Sequence, residues 1–269
     1  MSLAVEEYPR PGAPTIVLVH GFTQNSRCWG SLAVRLNQHF RVLVVDAPGH
    51  GASPAHHDRA DPAQAARLIG EVGGAARYLG YSMGGRLCLQ LACQRPDLVE
   101  ELILIGATPG LVATEAREAR QRADSLLADR LEQVGLAEFL DHWLALPLFA
   151  RLDPAAAARP ERLANRLEGL AASLRHAGTG QMQPLWPQLH RLTMPVLLTA
   201  GALDLKFASE AAAMARALVA ARGRVDGGPG PEVALVPAAG HTAHLEQPGT
   251  FLALLMGWWR TREALAGPG

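Results

Sequence analysis

Continuous apolar runs recur along the chain, and they constrain its fold more than any other feature. The six runs are Thr15–His20, Arg41–Asp46, Ala76–Tyr81, Glu101–Ile105, Pro195–Thr199 and Glu232–Pro237. Strands buried on both faces of a parallel sheet have this continuous pattern, whereas half-exposed strands alternate apolar and polar residues. Helical stretches separate the runs, as at Gly84–Gln94, at Ser209–Ala221 and after Pro248. The alternation predicts a mostly parallel, doubly wound α/β sheet.

One long segment, Thr108 to His190, breaks the alternation. It is rich in Ala, Arg and Leu, it is helical by pattern, and it contains no strand candidate. We therefore predict a helical cap at 108–190, inserted into an α/β core formed by residues 1–107 and 191–269. The alternative interpretation is that this segment is a helical insertion that takes no part in the functional site.

Composition narrows the class of protein and its partners. Hydrophobic residues make up 49% of the chain and charged residues 19%, the formal net charge is zero and the isoelectric point is about 7.2. This balance is typical of a globular protein and does not suggest a nucleic acid or an acidic membrane as partner. The three cysteines have no disulfide spacing, and Met1–Gly12 lacks the features of a secretory signal. We expect a reduced cytoplasmic enzyme, with neither a membrane nor a nucleic acid as partner and no specified oligomeric state.

The sequence Gly80-Tyr81-Ser82-Met83-Gly84 follows the third apolar run and precedes a helical stretch. It matches the G-x-S-x-G nucleophile elbow, in which a sharp strand-to-helix turn requires small residues beside a strained serine. A plain glycine-rich turn is the alternative, but the strand before it and the helix after it favour the elbow. We predict that Ser82 is a catalytic residue.

An elbow serine needs a histidine base and an orienting acid, in the chain order serine, acid, histidine. His241 follows the last apolar run and Asp204 follows the one before it. Both lie at the carboxyl ends of predicted strands, where open α/β sheets place their sites. The run Glu101–Ile105 ends without an acid, and Asp226 lies in a glycine-rich loop. The sequence therefore predicts the triad Ser82, Asp204 and His241.

Residues around the triad receive supporting roles. The backbone N–H groups of Phe22 and Met83 are expected to form an oxyanion hole. His20 and His244 are expected to be structural, and Asp46 is expected to fix the loop beside the site. No spacing of histidine, cysteine or acidic residues makes a metal site.

Arg86 lies four residues after Ser82, one turn into the helix that begins at the elbow. Residues at this spacing share a helix face, so its side chain can reach the catalytic cavity. A buried guanidinium is costly without an anion. Arg86 therefore indicates either an internal salt bridge or a site for a substrate carboxylate.

Motifs across the core and the proposed cap match one family. They are His20–Phe22, Asp46–Gly51, Gly80–Arg86, Pro109–Leu111, Arg117–Asp124, Trp143–Ala150, Ser173–Trp186, Gly201–Phe207 and Gly240–Pro248. From about His20 to Pro248 the chain resembles 2-succinyl-6-hydroxy-2,4-cyclohexadiene-1-carboxylate (SHCHC) synthase, a carbon–oxygen lyase of menaquinone biosynthesis with the α/β-hydrolase fold. Many α/β-hydrolases share the core motifs, so Arg86, Arg117–Asp124 and Ser173–Trp186 are the more discriminating matches.

The resemblance implies a substrate and a set of residues that bind it. In that family 2-succinyl-5-enolpyruvyl-6-hydroxy-3-cyclohexene-1-carboxylate (SEPHCHC) carries carboxylates on its ring, its succinyl arm and its enolpyruvyl group. The substrate-binding residues implied are Tyr81, Arg86, Arg120, Trp143 and Arg166. Because the Ala-rich segment around Arg166 departs from the family pattern, Arg162 and Arg175 are alternatives at that position. Guanidinium groups suit this role, since their planar fork binds carboxylates bidentately and stays charged.

The reaction implied by the resemblance is removal of a ring proton followed by loss of pyruvate, with no metal or organic cofactor. The triad then acts as a base, and the oxyanion hole stabilises the enolate-like charge on the succinyl ketone. A carboxylesterase or a C–C bond hydrolase would keep the same triad and is the first alternative. A non-catalytic protein with this fold is the second, although such proteins commonly lack triad members.

Overall fold

A computed structural model of the chain describes residues 2–54, 61–222 and 230–266. Its centre is a seven-stranded sheet in the order β1-β3-β2-β4-β5-β6-β7. The strands are β1 (Val5–Tyr8), β2 (Thr15–Val19), β3 (Arg41–Val45), β4 (Ala76–Tyr81), β5 (Val99–Ile105), β6 (Val196–Gly201) and β7 (Glu232–Val236). All neighbouring strands are parallel except β1 and β3. The predicted mostly parallel sheet is confirmed, and each of the six predicted strands is present.

The edge strand β1 is the one strand that the apolar pattern does not predict. Its sequence is Val-Glu-Glu-Tyr, and none of its residues is fully buried. It pairs antiparallel with β3, with Val5 opposite Val45. An edge strand of this length exposes most of its side chains, so it lacks the continuous apolar run that marks the inner strands.

Nine α-helices and four short 3₁₀ helices connect the strands in the described part of the chain. The α-helices are α1 (Leu32–Leu36), α2 (Pro62–Gly73), α3 (Met83–Gln94), α4 (Thr114–Leu144), α5 (Arg159–Arg162), α6 (Leu167–Ala177), α7 (Leu205–Arg222), α8 (Ala243–Glu246) and α9 (Pro248–Ala266). The 3₁₀ helices are Ser26–Trp29, Pro96–Leu98, Pro147–Phe149 and Trp186–Arg191. In these described ranges no helix combines the length and the apolarity that crossing a membrane requires.

Helices cover both faces of the sheet, and each face has its own apolar core. On one face Leu68 of α2, Leu87 of α3 and Met214 of α7 belong to a single buried cluster. On the other face Leu32 of α1 and Phe251 of α9 belong to a second cluster. Because both faces are buried, the inner strands have to be apolar throughout, which explains the runs in the sequence.

Only helices lie between β5 and β6, as the sequence predicts for this segment. Helix α4 packs against α6 through a separate apolar cluster that includes Leu131, Phe139 and Leu170. Gly135 interrupts α4 with a φ of 79°, a conformation that glycine adopts without steric cost. The division into a core at 1–107 and 191–269 and a cap at 108–190 remains an interpretation of this arrangement.

The start of α3 approaches the end of β2 closely, and this approach depends on Gly84. A Cβ atom at this position would collide with the backbone of Val19 and His20 at the end of β2. The close approach sets the start of α3 against the end of β2, and thus sets Ser82 beside the segment that carries Phe22. A helical glycine with free space around it, Gly257 of α9, offers a comparison.

We expect Gly84→Ala to lower the free energy of unfolding by about 3 kcal/mol, since α3 would have to move away from β2. Gly257→Ala should leave it unchanged or raise it by up to about 1 kcal/mol, because alanine favours the helix and meets no neighbour. Urea unfolding of both variants measures the difference. A wild-type unfolding midpoint in Gly84→Ala would contradict the steric explanation.

Candidate active site

The structure brings the three predicted triad residues together at the carboxyl end of the sheet. Ser82 Oγ lies 3.0 Å from His241 Nε2, and His241 Nδ1 lies 2.7 Å from Asp204 Oδ2. His241 is 3% exposed and the Asp204 side chain 8% exposed. The histidine can therefore accept a proton from the serine while the buried carboxylate orients its ring.

Ser82 has the strained backbone that an elbow requires. Its φ is 51° and its ψ is −107°, and it stands between the end of β4 and the start of α3. Its N–H donates to the carbonyl oxygen of Ile105 on the neighbouring strand at 2.8 Å. This conformation places the side chain above the sheet edge, where His241 reaches it.

Asp204 has a second function at the start of α7. Its Oδ1 accepts a hydrogen bond from the N–H of Phe207 at 3.3 Å, while Oδ2 faces His241. The Phe207 ring lies against the imidazole of His241, with 4.5 Å between ring centroids. One carboxylate thus fixes both the histidine and the helix turn that packs on it.

Glu246 holds the loop that carries His241. Its Oε2 accepts from the N–H of Gly240 at 2.6 Å, and its Oε1 accepts from the N–H of Thr242 at 3.0 Å and from the Thr242 hydroxyl at 2.7 Å. These bonds clamp the backbone on both sides of His241. Sequence patterns assigned no role to Glu246, although an acid five residues after the triad histidine was the available signal.

The residues expected to form the oxyanion hole, Phe22 and Met83, line one cavity together with Ser82 and His241. Met83 is the first residue of α3, where backbone N–H groups have no partner within the helix. The Phe22 ring packs edge-on against Trp143 at 5.2 Å between centroids. This position beside Ser82 supports the proposed use of both N–H groups as donors to a developing negative charge.

His20 and Asp46 support the loops around the site. His20 is fully buried, with Nδ1 2.8 Å from the Gly21 carbonyl oxygen and Nε2 accepting from the N–H of Ala47. Burial lowers the pKa of His20 to about 4, so its ring is neutral near pH 7. Asp46 accepts from the backbone N–H groups of Ser26 and Ala52 and so joins two loops.

His244 is buried behind Tyr81, against which its ring packs. Its ring lies 4.6 Å from the Tyr81 ring and 5.1 Å from the Trp29 ring, measured between centroids. Burial, reinforced by His241, lowers the pKa of His244 to about 3, which keeps it uncharged. The expectation that His244 is structural agrees with this position.

Arg86 reaches the catalytic cavity, as its spacing from Ser82 predicts. It is 8% exposed, and Nη1 donates to the carbonyl oxygen of Ala177 at 3.1 Å. Burial and then the neighbouring charge of Arg120 lower its pKa to about 10, against the opposing effect of Asp124. No carboxylate of the described residues lies within ion-pair distance of Arg86. The internal salt bridge considered from the sequence is therefore absent from this part of the chain.

Arg120 also lines the cavity, but it has a carboxylate partner. Its Nε donates to Asp124 Oδ1 at 2.8 Å, one helical turn away on α4. The other carboxylate oxygen, Oδ2, is buried without a hydrogen-bond partner among the described residues. Burial raises the pKa of Asp124, and the charges of Arg120 and Arg86 oppose this shift. Asp124 thus holds Arg120 at the cavity wall beside Arg86.

The structure does not bring Arg166 into this cavity. Its guanidinium donates to the Ser53 carbonyl oxygen at 2.7 Å, and it is not among the residues that line the cavity. Arg175 is engaged in ion pairs with Asp129 and Glu132. The cavity is instead lined by Arg162, one of the two alternatives that the sequence left open.

Arg162 enters the cavity because α5 projects it inward. It is 1% exposed, Nε donates to the Ala157 carbonyl oxygen at 2.7 Å, and Nη1 bonds the Thr23 hydroxyl. Burial lowers the pKa of its guanidinium. No ion pair joins it to a carboxylate in the described ranges. Arg162 therefore resembles Arg86 as a buried cation without a counter-ion.

The aromatic residues implied by the resemblance, Tyr81 and Trp143, both line the cavity. Tyr81 is 3% exposed and packs against His241 at 5.4 Å between centroids. Two further lining residues, Lys206 and Phe207, come from α7. The cavity thus combines apolar and aromatic walls with a few cations, the composition of a small-molecule site for an anion.

Comparison with known proteins agrees with the fold. The α/β hydrolase family matches residues 16–254. A Bacillus subtilis protein named as a putative SHCHC synthase is 32% identical over 92% of this chain and 91% of its own length. The SHCHC synthase of Serratia proteamaculans is 31% identical over 95% and 94%. The chain belongs to the SHCHC synthase family of α/β hydrolases.

Solved structures place SHCHC synthase relatives beside hydrolases of the same fold. MenH from S. aureus has a TM-score of 0.86, 28% sequence identity and coverage of 96% of this chain and 98% of its own. A thermophilic esterase from Thermogutta terrifontis, with malate bound, has a TM-score of 0.79, 25% identity and coverage of 96% and 93%. The same fold therefore occurs in MenH and in an esterase, so the residues lining the cavity have to make the distinction.

Among the residues that the structure describes, no three or more His, Cys, Asp or Glu side chains are grouped so that they could hold a metal ion. The rejected acid Asp226 lies outside the described residues.

We expect a fluorophosphonate to label wild-type protein at Ser82 and to leave Ser82→Ala unlabelled. Asp204→Asn should slow labelling by about 10³-fold or more, because the histidine loses its orienting carboxylate. The exposed Asp97→Asn, which changes the same charge away from the cavity, is the matched control and should react at the wild-type rate. Mass spectrometry of the intact protein over time gives the rates. Unchanged labelling of Asp204→Asn would show that another acid completes the triad.

Proposed function

We propose that this chain catalyses the loss of pyruvate from SEPHCHC to give SHCHC in menaquinone biosynthesis. Its relatives over more than nine-tenths of its length carry that enzyme name. The observation that carries the proposal is Arg86, a buried cation one helical turn from Ser82 without a carboxylate partner among the described residues. A small-molecule substrate with several carboxylates explains why such a charge is kept beside the triad.

In this proposal the triad acts as a base. His241 accepts the proton of Ser82 Oγ, and Ser82 Oγ removes a proton from the ring carbon next to the succinyl ketone. The electron pair released from that C–H bond moves into the ring as the C–O bond to the enolpyruvyl group breaks. The leaving enolate of pyruvate takes up the proton that the triad has gained, so atoms and charge balance.

The proposed oxyanion hole stabilises the charge that develops on the succinyl ketone oxygen. The N–H groups of Phe22 and Met83 would donate to this oxygen, beside Ser82. The same donors stabilise a tetrahedral intermediate in a hydrolase. The oxyanion hole is therefore compatible with both the elimination of pyruvate and the hydrolysis of an ester, and it does not distinguish the two reactions.

Substrate carboxylates supply the partners that the cavity cations lack. We assign Arg86, with Arg120 beside it, to one carboxylate and Arg162 to another, with Tyr81 and Trp143 as apolar walls. We give Arg162 the role that the resemblance gave to Arg166, since Arg162 lines the cavity and Arg166 does not. Buried guanidinium groups that await a carboxylate favour an anionic substrate over a neutral ester.

We expect wild-type protein to release pyruvate from SEPHCHC and to hydrolyse p-nitrophenyl acetate only slowly. Arg86→Ala should lower kcat/KM for SEPHCHC by about ten- to a hundredfold, the loss of one charge-assisted hydrogen bond of about 1.5–3 kcal/mol. It should change hydrolysis of the neutral ester much less, because that substrate has no carboxylate for Arg86 to bind. Arg86→Lys should recover part of the loss, since an ammonium keeps the charge but not the fork.

The two activities are measured on the same preparations, as pyruvate formed and as nitrophenol formed. Equal losses on both substrates would make Arg86 a structural residue. Rapid ester hydrolysis without pyruvate release by the wild type would favour the esterase alternative.

A further inference from the structure

Lys206 is a cation of the active-site cavity to which the proposed mechanism assigns no role. Lys206 lies in the first turn of α7, two residues after Asp204, and it lines the same cavity as Ser82 and His241. It is exposed, whereas Arg86 and Arg162 are buried. Lys206 therefore stands where the cavity meets solvent, on the triad side.

The contacts of Lys206 hold its ammonium near the triad without neutralising it. Nζ lies 5.2 Å from the centroid of the Phe207 ring, and that ring packs against His241. The turn itself is fixed by the hydrogen bond from the Phe207 N–H to Asp204. No carboxylate within the described ranges lies at ion-pair distance from Nζ. A cation held over an aromatic face remains available to an incoming anion.

Lys206 is the only lysine among the 25 basic residues of the chain, and the others are all arginine. A composition that favours arginine everywhere else makes a lysine at the cavity mouth informative. Arginine holds a carboxylate with a planar fork, whereas lysine offers a compact, strongly hydrated charge on a flexible stem. An ammonium therefore suits a position where an anionic group binds briefly and departs.

The pairing of charges within the cavity also indicates that Lys206 binds an anionic group that later departs. Arg120 is already paired with Asp124, so the lining cations without a carboxylate partner among the described residues are Arg86, Arg162 and Lys206. Their number equals that of the carboxylates on SEPHCHC. Two of the three are buried and suit groups that stay on the ring product. The third, Lys206, is exposed at the edge of the cavity, which suits a group that has to leave the protein.

We propose that Lys206 binds the carboxylate of the enolpyruvyl group, the part of the substrate that leaves as pyruvate. This assignment rests on the proposed function, and it makes Lys206 a specificity residue for the leaving group. The product SHCHC keeps the ring and succinyl carboxylates but has lost the enolpyruvyl group. Lys206 should therefore contribute to binding of the substrate and not to binding of the product.

The test is Lys206→Met, which removes the charge and keeps the length of the stem. We expect KM for SEPHCHC to rise about three- to fivefold, as for loss of a partly solvated ion pair, while the inhibition constant of SHCHC stays at the wild-type value. Lys206→Arg should restore most of the KM. The matched control is Arg35→Met, which removes one exposed cation of α1 away from the cavity and should change neither constant.

The experiment distinguishes a failure of the proposed function from a failure of the assignment of Lys206. If wild-type protein releases no pyruvate from SEPHCHC, the proposed function is overturned and the assignment of Lys206 falls with it. If wild-type protein turns over but Lys206→Met leaves KM unchanged, or raises KM and the SHCHC inhibition constant equally, only the assignment of Lys206 is overturned.

Discussion

The strained turn between β4 and α3 determines where every other part of the site has to be. Ser82 is held at a φ of 51°, and the start of α3 approaches the end of β2 so closely that Gly84 has no room for a side chain. This approach sets Ser82 beside the segment that carries Phe22. Parallel strands bring Asp204 and His241 to the same edge from β6 and β7. The backbone strain is tolerated because two buried apolar clusters fix the strands on either side.

The second constraint is the burial of positive charge beside the triad. Arg86 and Arg162 are buried without a carboxylate at ion-pair distance among the described residues, and a buried charge without a partner is costly. Arg120 differs from them, because Asp124 pairs with it and holds it at the cavity wall. In the proposed function an anionic substrate supplies the missing partners, so the cations around the triad, and not the triad itself, distinguish the lyase from an esterase.

Sequence patterns predicted the inner strands and the triad because each depends on local signals, a continuous apolar run or a short motif in a fixed order. The edge strand β1 was missed because its exposed side chains leave no such run. The exchange of Arg166 for Arg162 was beyond sequence reasoning, since the two arginines are only four residues apart and no local motif distinguishes them. Arg162 ends α5 and bonds Thr23 at the cavity, whereas Arg166 precedes α6 and bonds Ser53. Glu246 was missed because its bonds go to backbone groups around His241, which no side-chain motif records.

In the proposed mechanism Ser82 moves a proton and forms no covalent bond to the substrate. Intact-mass spectrometry of the protein, quenched during steady-state turnover of SEPHCHC, distinguishes these two roles of Ser82. We expect pyruvate and SHCHC to accumulate while the protein keeps its unmodified mass at every time point. A populated adduct on Ser82 that forms and decays at the rate of turnover would rule out proton transfer as its only role and favour covalent hydrolase chemistry.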